Sequence, residues 1–176
     1  VMNIVLIGFR GTGKSTVGRL LAKRLERDFI DSDKQIESST EKTIKSIFEE
    51  DGEEGFRKIE ADTIAELSKA DNKVISAGGG AVLKEDNVRN LKDNGFLVLL
   101  EASPEIIHSR IAQDKKTTQQ RPSLTDKKPL DEIKHLIEQR EHAYKSAADF
   151  TINTSHVSCE DVVNEIITIV NKTMKK

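Results

Sequence analysis

The feature that most constrains this chain is a glycine-rich segment at residues 8–15, which matches the pattern G-x-x-x-x-G-K-[ST] at every required position. A short run of β-branched and aliphatic residues, Asn3–Ile7, precedes it and predicts a buried central strand. Apolar residues then recur with a helical period across residues 17–25. A strand, a glycine-rich turn and a helix in this order predict an α/β domain whose first turn binds phosphate groups.

Residues 8–15, called the phosphate loop below, carry the chemistry that binding a nucleoside triphosphate requires. The glycines let backbone N–H groups point inward, and the helix N-terminus adds a positive dipole. Lys14 supplies a full positive charge, and the Ser15 hydroxyl suits a Mg²⁺ ion that bridges the phosphates. An ordinary turn with a surface lysine is the weaker interpretation, because pattern and context agree. The predicted nucleotide-binding residues are Gly11, Thr12, Gly13, Lys14, Ser15 and Thr16.

Two other classes of nucleotide-binding protein lack their signatures here. GTP-binding switches need Asn-Lys-x-Asp after a strand, whereas residues 171–174 read Asn-Lys-Thr-Met at the end of the last predicted helix. Mechanical ATPases usually carry Asp-Glu after an apolar strand, whereas residues 97–100 are followed by Glu101 and Ala102. A small kinase is therefore the better interpretation.

Strand and helix patterns alternate along the 176 residues, which predicts one domain, residues 1–176, with a parallel sheet covered on both faces. The predicted strands are Asn3–Ile7, 29–31, Lys73–Ser76, 96–100 and 150–152. The predicted helices are 14–25, 33–39, 44–67 with an interruption near Gly52 and Gly55, one from Pro104, 130–144 and 162–170. Residues 113–128 are almost devoid of apolar side chains, and we expect them to be mobile.

The composition argues against several partners. Lys plus Arg number 28 and Asp plus Glu number 30, so the formal charge of −2 provides no basic field for nucleic acid. The longest clean apolar run falls far short of the about 20 residues that a membrane span needs. A lone Cys159 cannot form an internal disulfide. We therefore expect a cytosolic monomer with no nucleic-acid or membrane partner.

Two carboxylates follow the second short strand. This strand is expected beside the first one, which brings Asp31 and Asp33 to the phosphate end of the sheet. One acid can hold the hydration shell of magnesium, and the other can accept a proton from a substrate hydroxyl or orient it. The alternative is that the aspartates cap the next helix, and both roles can coexist. A calcium loop is excluded because Ile36 stands where that loop needs glycine.

Three consecutive glycines, 78–80, end the third predicted strand abruptly. One glycine usually suffices for a turn, so three predict close approach to this backbone by an anionic or polyhydroxylated ligand, with a plain loop as the alternative. Four arginines lie near the inferred functional edge, and a guanidinium suits carboxylate or phosphate groups. They are Arg57, Arg110, Arg121 and Arg140.

In order and spacing, these motifs resemble one family, the shikimate kinases, which are small P-loop kinases related to the nucleoside monophosphate kinases. The matching segments are Gly-x-x-Gly-x-Gly-Lys-Ser-Thr at 8–16, Phe-Ile-Asp-Ser-Asp at 29–33, Ile-Phe-x-x-x-Gly-Glu-x-x-Phe-Arg-x-x-Glu at 47–60, Gly-Gly-Gly at 78–80, Arg-Pro-x-Leu at 121–124 and Arg-x-x-x-Tyr at 140–144. One departure follows the last predicted strand: residues 153–156 read Asn-Thr-Ser-His, where many members place an arginine that sandwiches adenine.

The resemblance implies ATP-dependent phosphorylation of the 3-hydroxyl of shikimate, a step toward chorismate and the aromatic amino acids, with Mg²⁺ as the cofactor. It implies a three-layer α/β/α P-loop fold whose five-stranded parallel sheet has the order 2-3-1-4-5. Residues of about 33–60 would bind the acceptor, and 113–128 would form a mobile lid. Arg110 would lie against adenine.

The resemblance also implies catalytic and binding roles, position by position. Asp33 would hold the acceptor hydroxyls and act as the base. Lys14 and Arg121 would neutralise the transferring phosphoryl group, while Ser15 and, through water, Asp31 would serve magnesium. The substrate-binding residues would be Asp33, Arg57, Gly78, Gly79, Gly80 and Arg140.

Overall fold

The computed structural model describes residues 1–114 and 128–173. Its strands are β1 (Asn3–Ile7), β2 (Asp28–Asp31), β3 (Lys73–Ser76), β4 (Gly95–Glu101) and β5 (Phe150–Asn153). Its helices are α1 (Lys14–Leu25), α2 (Ser32–Thr40), α3 (Ile44–Leu67), a 3₁₀ turn (Ala81–Leu83), α4 (Glu85–Asp93), α5 (Pro104–Gln113), α6 (Pro129–Ala147) and α7 (Cys159–Thr173). In the part of the chain that the structure describes, no helix is both long and apolar enough to cross a membrane.

The strands form one parallel sheet in the order β2-β3-β1-β4-β5. The predicted order, the central position of β1 and the edge position of β5 are confirmed. The expectation that β2 lies beside β1 is wrong, because β3 lies between them: Val74 of β3 pairs with Phe29 on one side and Ile4 on the other. The strands are still parallel, so Asp31 reaches the same edge of the sheet as the phosphate loop.

Both faces of the sheet are covered, which explains why β1 reads as a continuous apolar run. Val5 and Ile7 point into one core with residues of α3, α4 and α6. Ile4 and Leu6 point into the other core, which α1 and α7 complete. A third, smaller apolar cluster joins α2 to α3. The two main cores hold the carboxyl ends of the strands, where the functional groups gather, in a fixed arrangement.

Two details between β2 and β4 differ from expectation. The predicted interruption of α3 occurs at Gly52 alone, whose φ of 68° and ψ of −173° are not helical, whereas Gly55 stays within the helix. The sequence reasoning also missed α4, Glu85–Asp93. Its two apolar residues, Val88 and Leu91, lie one turn apart on a helix that is otherwise polar, so a usable helical pattern is present but is only one turn long.

Candidate active site

The phosphate loop has backbone geometry that favours glycine. Gly8, Gly11 and Gly13 have φ values of 136°, 80° and 99°, in the region that residues with a Cβ atom rarely adopt. At Gly8 a Cβ atom would also lie 2.3 Å from the carbonyl oxygen of Leu100. Gly13 then caps α1, whose first turn begins at Lys14. The loop therefore wraps toward the helix N-terminus, as an anion site requires.

Lys14 folds back over this loop. Its Nζ donates to the carbonyl oxygens of Gly8 and Phe9, each at 2.8 Å, and its side chain is only 9% exposed. The Thr12 hydroxyl also donates to the Phe9 carbonyl, at 2.8 Å. These bonds hold the ammonium group at the mouth of the loop, so that its charge is placed before a phosphate binds.

Ser15 and Asp31 lie in direct contact although the sequence separates them. The Ser15 hydroxyl donates to Oδ2 of Asp31 at 2.8 Å. The other carboxylate oxygen, Oδ1, accepts the backbone N–H groups of Asp33 at 3.1 Å and Lys34 at 3.4 Å, so Asp31 caps α2. The capping alternative is thus confirmed for Asp31. A hydroxyl and a carboxylate side by side also form the oxygen donor set that Mg²⁺ prefers.

The glycines that follow β3 pack against other elements of the site. The Gly78 N–H donates to the buried Ser32 hydroxyl at 2.9 Å, and the Tyr144 hydroxyl donates to the Gly79 carbonyl. A Cβ atom at Gly80 would lie 2.3 Å from Nη1 of Arg57. The group that lies close to Gly80 is thus the guanidinium of Arg57, and the close approach of a ligand to residues 78–80 stays a prediction.

Arg57 is held rigidly in that position. Its Nη1 lies 2.7 Å from Oε2 of Glu60, which is 1% exposed, and its Nη2 lies 3.2 Å from Oε1 of Glu53. Burial by itself lowers the pKa of the guanidinium, but the carboxylates, chiefly that of Glu60, outweigh burial and raise the pKa above its ordinary value. Arg57 is therefore a fixed, permanent cation beside Gly80.

Arg140, on α6, is a second buried cation. Its side chain is 8% exposed, and its Cζ lies 5.8 Å from the centroid of the Phe9 ring in the phosphate loop. Among the acids of residues 1–114 and 128–173, none forms an ion pair with Arg140. A buried guanidinium with no carboxylate partner among the described residues is suited to bind the carboxylate of a ligand.

Arg110, on α5, binds the end of β5. Its Nη2 donates to the Thr154 carbonyl at 2.7 Å, and its Nη1 donates to the Thr154 hydroxyl at 3.0 Å and to the Gly11 carbonyl at 3.3 Å. The sequence analysis placed Arg110 against adenine but did not predict which groups of the protein it would bind. Thr154 was missed altogether, although its place directly after a strand at the phosphate edge was a usable signal.

A cavity of about 660 Å³ joins these groups. Its walls include residues of the phosphate loop and of both predicted ligand regions: Gly11, Thr12, Gly13, Lys14, Ser15, Thr16, Asp31, Asp33, Gly78, Gly79, Arg110 and Thr154. Arg57, Gly80 and Arg140 do not line it. Gly80 directly follows the wall residue Gly79, and Arg57 lies against Gly80. Arg140 lies over the ring of Phe9, which directly precedes the wall residue Arg10. Arg121 and nearly all of the predicted lid, 113–128, lie outside the described residues.

Comparisons with known proteins identify the family of this chain. The family model described as shikimate kinase matches residues 10–171. The shikimate kinase of Pelotomaculum thermopropionicum is 46% identical to this chain, over 94% of this chain and 93% of that protein. The shikimate kinase of Symbiobacterium thermophilum is 43% identical, over 94% of each chain. A solved shikimate kinase of Acinetobacter baumannii, in complex with shikimate, has a TM-score of 0.92 and 36% identity over 100% of this chain and 96% of that one. That of Aquifex aeolicus has a TM-score of 0.80 and 35% identity, with 98% of each chain covered. The chain therefore belongs to the shikimate kinase family.

Proposed function

We propose that this chain transfers the γ-phosphoryl group of ATP to the 3-hydroxyl of shikimate, in the route to chorismate and the aromatic amino acids. The observation that carries the proposal is that one cavity is lined by two chemically different sets of residues. The phosphate loop with Lys14 forms the nucleotide end named below, and Asp33, Gly78 and Gly79 belong to the acceptor end. Phosphoryl transfer needs such an arrangement, because catalysis consists mainly of positioning and charge stabilisation.

The nucleotide end holds the phosphates. Backbone N–H groups of residues 11–16 and the N-terminus of α1 bind the β- and γ-phosphates. Lys14, already held beside the loop, neutralises charge on the transferring group. Arg121, which the sequence places in the predicted lid, is assigned the same task.

Ser15 and Asp31 are the residues that would hold magnesium, Ser15 directly and Asp31 through water. The bound ion would neutralise negative charge shared between the β- and γ-phosphates. In this arrangement Asp31 serves two purposes, since it also fixes the first turn of α2, where Asp33 lies. One carboxylate thus ties the metal position to the position of the base.

The acceptor end orients shikimate. Arg57 and Arg140 bind the carboxylate, and the backbone of residues 78–80 binds the ring hydroxyls. Asp33 then accepts the proton of the 3-hydroxyl as its oxygen attacks the γ-phosphorus and ADP leaves. The α2–α3 region, about 33–60, supplies Asp33 and Arg57 and is therefore the acceptor-binding part of one domain.

Two alternatives are less well supported. A gluconate kinase would share the phosphate loop, but it would not be expected to pair Phe56 and Arg57 with three consecutive glycines. A binding module without turnover would be expected to lack Lys14, Asp33 or Arg121, and this chain has all three. We also keep the monomeric, cytosolic state as a proposal; the single cysteine and the use of ATP support its cytosolic part.

The acceptor assignment is tested with shikimate and an analogue whose carboxylate is replaced by a neutral group. Arg57→Ala or Arg140→Ala is expected to lose about 2–5 kcal/mol of acceptor binding, because one planar donor must then hold a partly desolvated carboxylate. Lysine at either position should rescue poorly, since a point charge cannot replace the two-donor fork. ATP binding should hardly change. If both alanine variants keep the wild-type preference for the carboxylate, the acceptor assignment is wrong.

A further inference from the structure

Thr154 occupies the position directly after β5 and is 4% exposed. Its hydroxyl lies 3.0 Å from the Thr12 carbonyl of the phosphate loop and 3.0 Å from the Glu101 carbonyl at the end of β4. The same hydroxyl accepts from Nη1 of Arg110 at 3.0 Å. One small side chain thus joins the phosphate loop, the end of β4 and a helix across the cavity wall.

The hydrogen-bonding capacity of the hydroxyl decides which contact matters. A threonine hydroxyl has one proton to donate and two lone pairs to accept with. The Glu101 carbonyl already accepts the backbone N–H of Thr154 at 2.7 Å. The Glu101 carbonyl therefore keeps a hydrogen bond when the hydroxyl proton is donated to the Thr12 carbonyl, while a lone pair of the hydroxyl accepts from Arg110.

Thr154 also holds the whole guanidinium fork of Arg110. Nη1 donates to its hydroxyl and Nη2 donates to its carbonyl, so both terminal nitrogens bind one residue. Nη1 additionally reaches the Gly11 carbonyl at 3.3 Å. A fork fixed at two points has a defined plane, and Arg110, Thr154 and the phosphate loop all line the cavity.

We propose that Thr154 is a positioning residue for the nucleotide: it acts through Arg110 and through the Thr12 carbonyl, which it fixes for ATP binding. The proposal rests on the proposed function, because it requires that ATP occupies this end of the cavity. A valine would keep the shape of Thr154 but would leave the Thr12 carbonyl and Arg110 Nη1 without this partner. The acceptor end, at Arg57 and Asp33, makes no contact with Thr154 in the bonds described.

The experiment compares Thr154→Val, Thr154→Ser and the control Thr151→Val, which changes an exposed residue of the same strand. Steady-state KM values are measured for ATP and for shikimate. Thr154→Val should raise the KM for ATP about fivefold or more, since two hydrogen bonds are lost, and leave the KM for shikimate within about twofold. Thr154→Ser keeps the hydroxyl, so it should restore the ATP value, and Thr151→Val should behave as wild type. If the Thr154→Val variant does not fold, the Thr154→Ala variant is measured instead, because alanine removes the hydroxyl without adding bulk.

The proposal is overturned if a folded Thr154→Val or Thr154→Ala variant keeps its ATP KM, if both KM values rise together, or if serine fails to restore the ATP value. Arg110→Met provides an independent check. It removes the group that Thr154 holds, so an unchanged ATP KM in this variant also overturns the proposal. Failure of the proposed function itself looks different, because wild-type protein would then show no shikimate-dependent release of ADP.

Discussion

Replacing Gly80 with alanine tests the acceptor site through a contact that only the folded structure shows. The new Cβ atom would lie 2.3 Å, 2.4 Å and 2.6 Å from Nη1, Nη2 and Cζ of Arg57, whereas ordinary contacts begin near 3.4 Å. The backbone itself accepts alanine, since Gly80 has a φ of −106°. The substitution therefore acts on the guanidinium of Arg57.

The size of the effect follows from what Arg57 must give up. Its guanidinium has to move by about 1 Å, which is enough to spoil a substrate-positioning contact. The 2.7 Å bond to Glu60 weakens, while the bond to the half-exposed Glu53 carboxylate contributes little. Loss of one charge-assisted hydrogen bond to shikimate costs about 1.5–3 kcal/mol, which weakens binding about ten- to hundredfold.

Isothermal titration with shikimate, performed on a double-mutant cycle, isolates the mechanism. Gly80→Ala should weaken shikimate binding strongly in the wild-type background and only slightly in the Arg57→Ala background, because the group it displaces is then absent. Thermal unfolding provides the control: a flexible side chain relieves the clash, so Tm should fall by only about 3–6 °C. An equal loss of affinity in both backgrounds would refute the reasoning, since the alanine would then act on something other than Arg57.

Three further outcomes follow from the phosphate loop and the base. Lys14→Met should fold and lose almost all turnover, because the ammonium group serves phosphate; near-wild-type kcat would remove the loop assignment. Asp33→Asn should fold and lose most of its kcat, because an amide cannot accept the proton. An unchanged kcat would mean that another residue is the base. Gly8→Ala should lower the free energy of unfolding by about 2–4 kcal/mol, since it combines a φ of 136° with a backbone clash at Leu100. Chemical denaturation measures this loss, and a wild-type midpoint would contradict the strain argument.

Much of the fold could be predicted because local signals agreed with each other. Each strand is a short apolar run, and several end at glycine or at an acid, so all five strands were located within one or two residues. The phosphate loop was predicted for the same reason, since its glycines match a backbone that needs positive φ. Helix α4 carries a shorter signal, because its helical pattern rests on two apolar residues, Val88 and Leu91.

The missing parts of the site depend on contacts between distant residues. The glycines at 78–80 predicted the close approach of a ligand, whereas the group that lies against Gly80 in the structure is Arg57 of α3. Thr154 contacts the Thr12 carbonyl across 142 positions, and no local pattern encodes that bond. The placement of β2 beside β3 likewise follows from the order of the whole sheet and not from its own residues.

The central claim is that the protein transfers the γ-phosphoryl group of ATP to shikimate, with both substrates bound in this cavity. The most direct measurement is ADP release by the purified protein with Mg²⁺ and ATP, using shikimate, gluconate and nucleoside monophosphates in parallel, with the phosphorylated product identified by ³¹P NMR. We expect ADP and shikimate 3-phosphate in equal amounts, and only background ADP release with the other acceptors. Equal or faster turnover of gluconate or a nucleoside monophosphate, or no ADP release with shikimate, would contradict the claim.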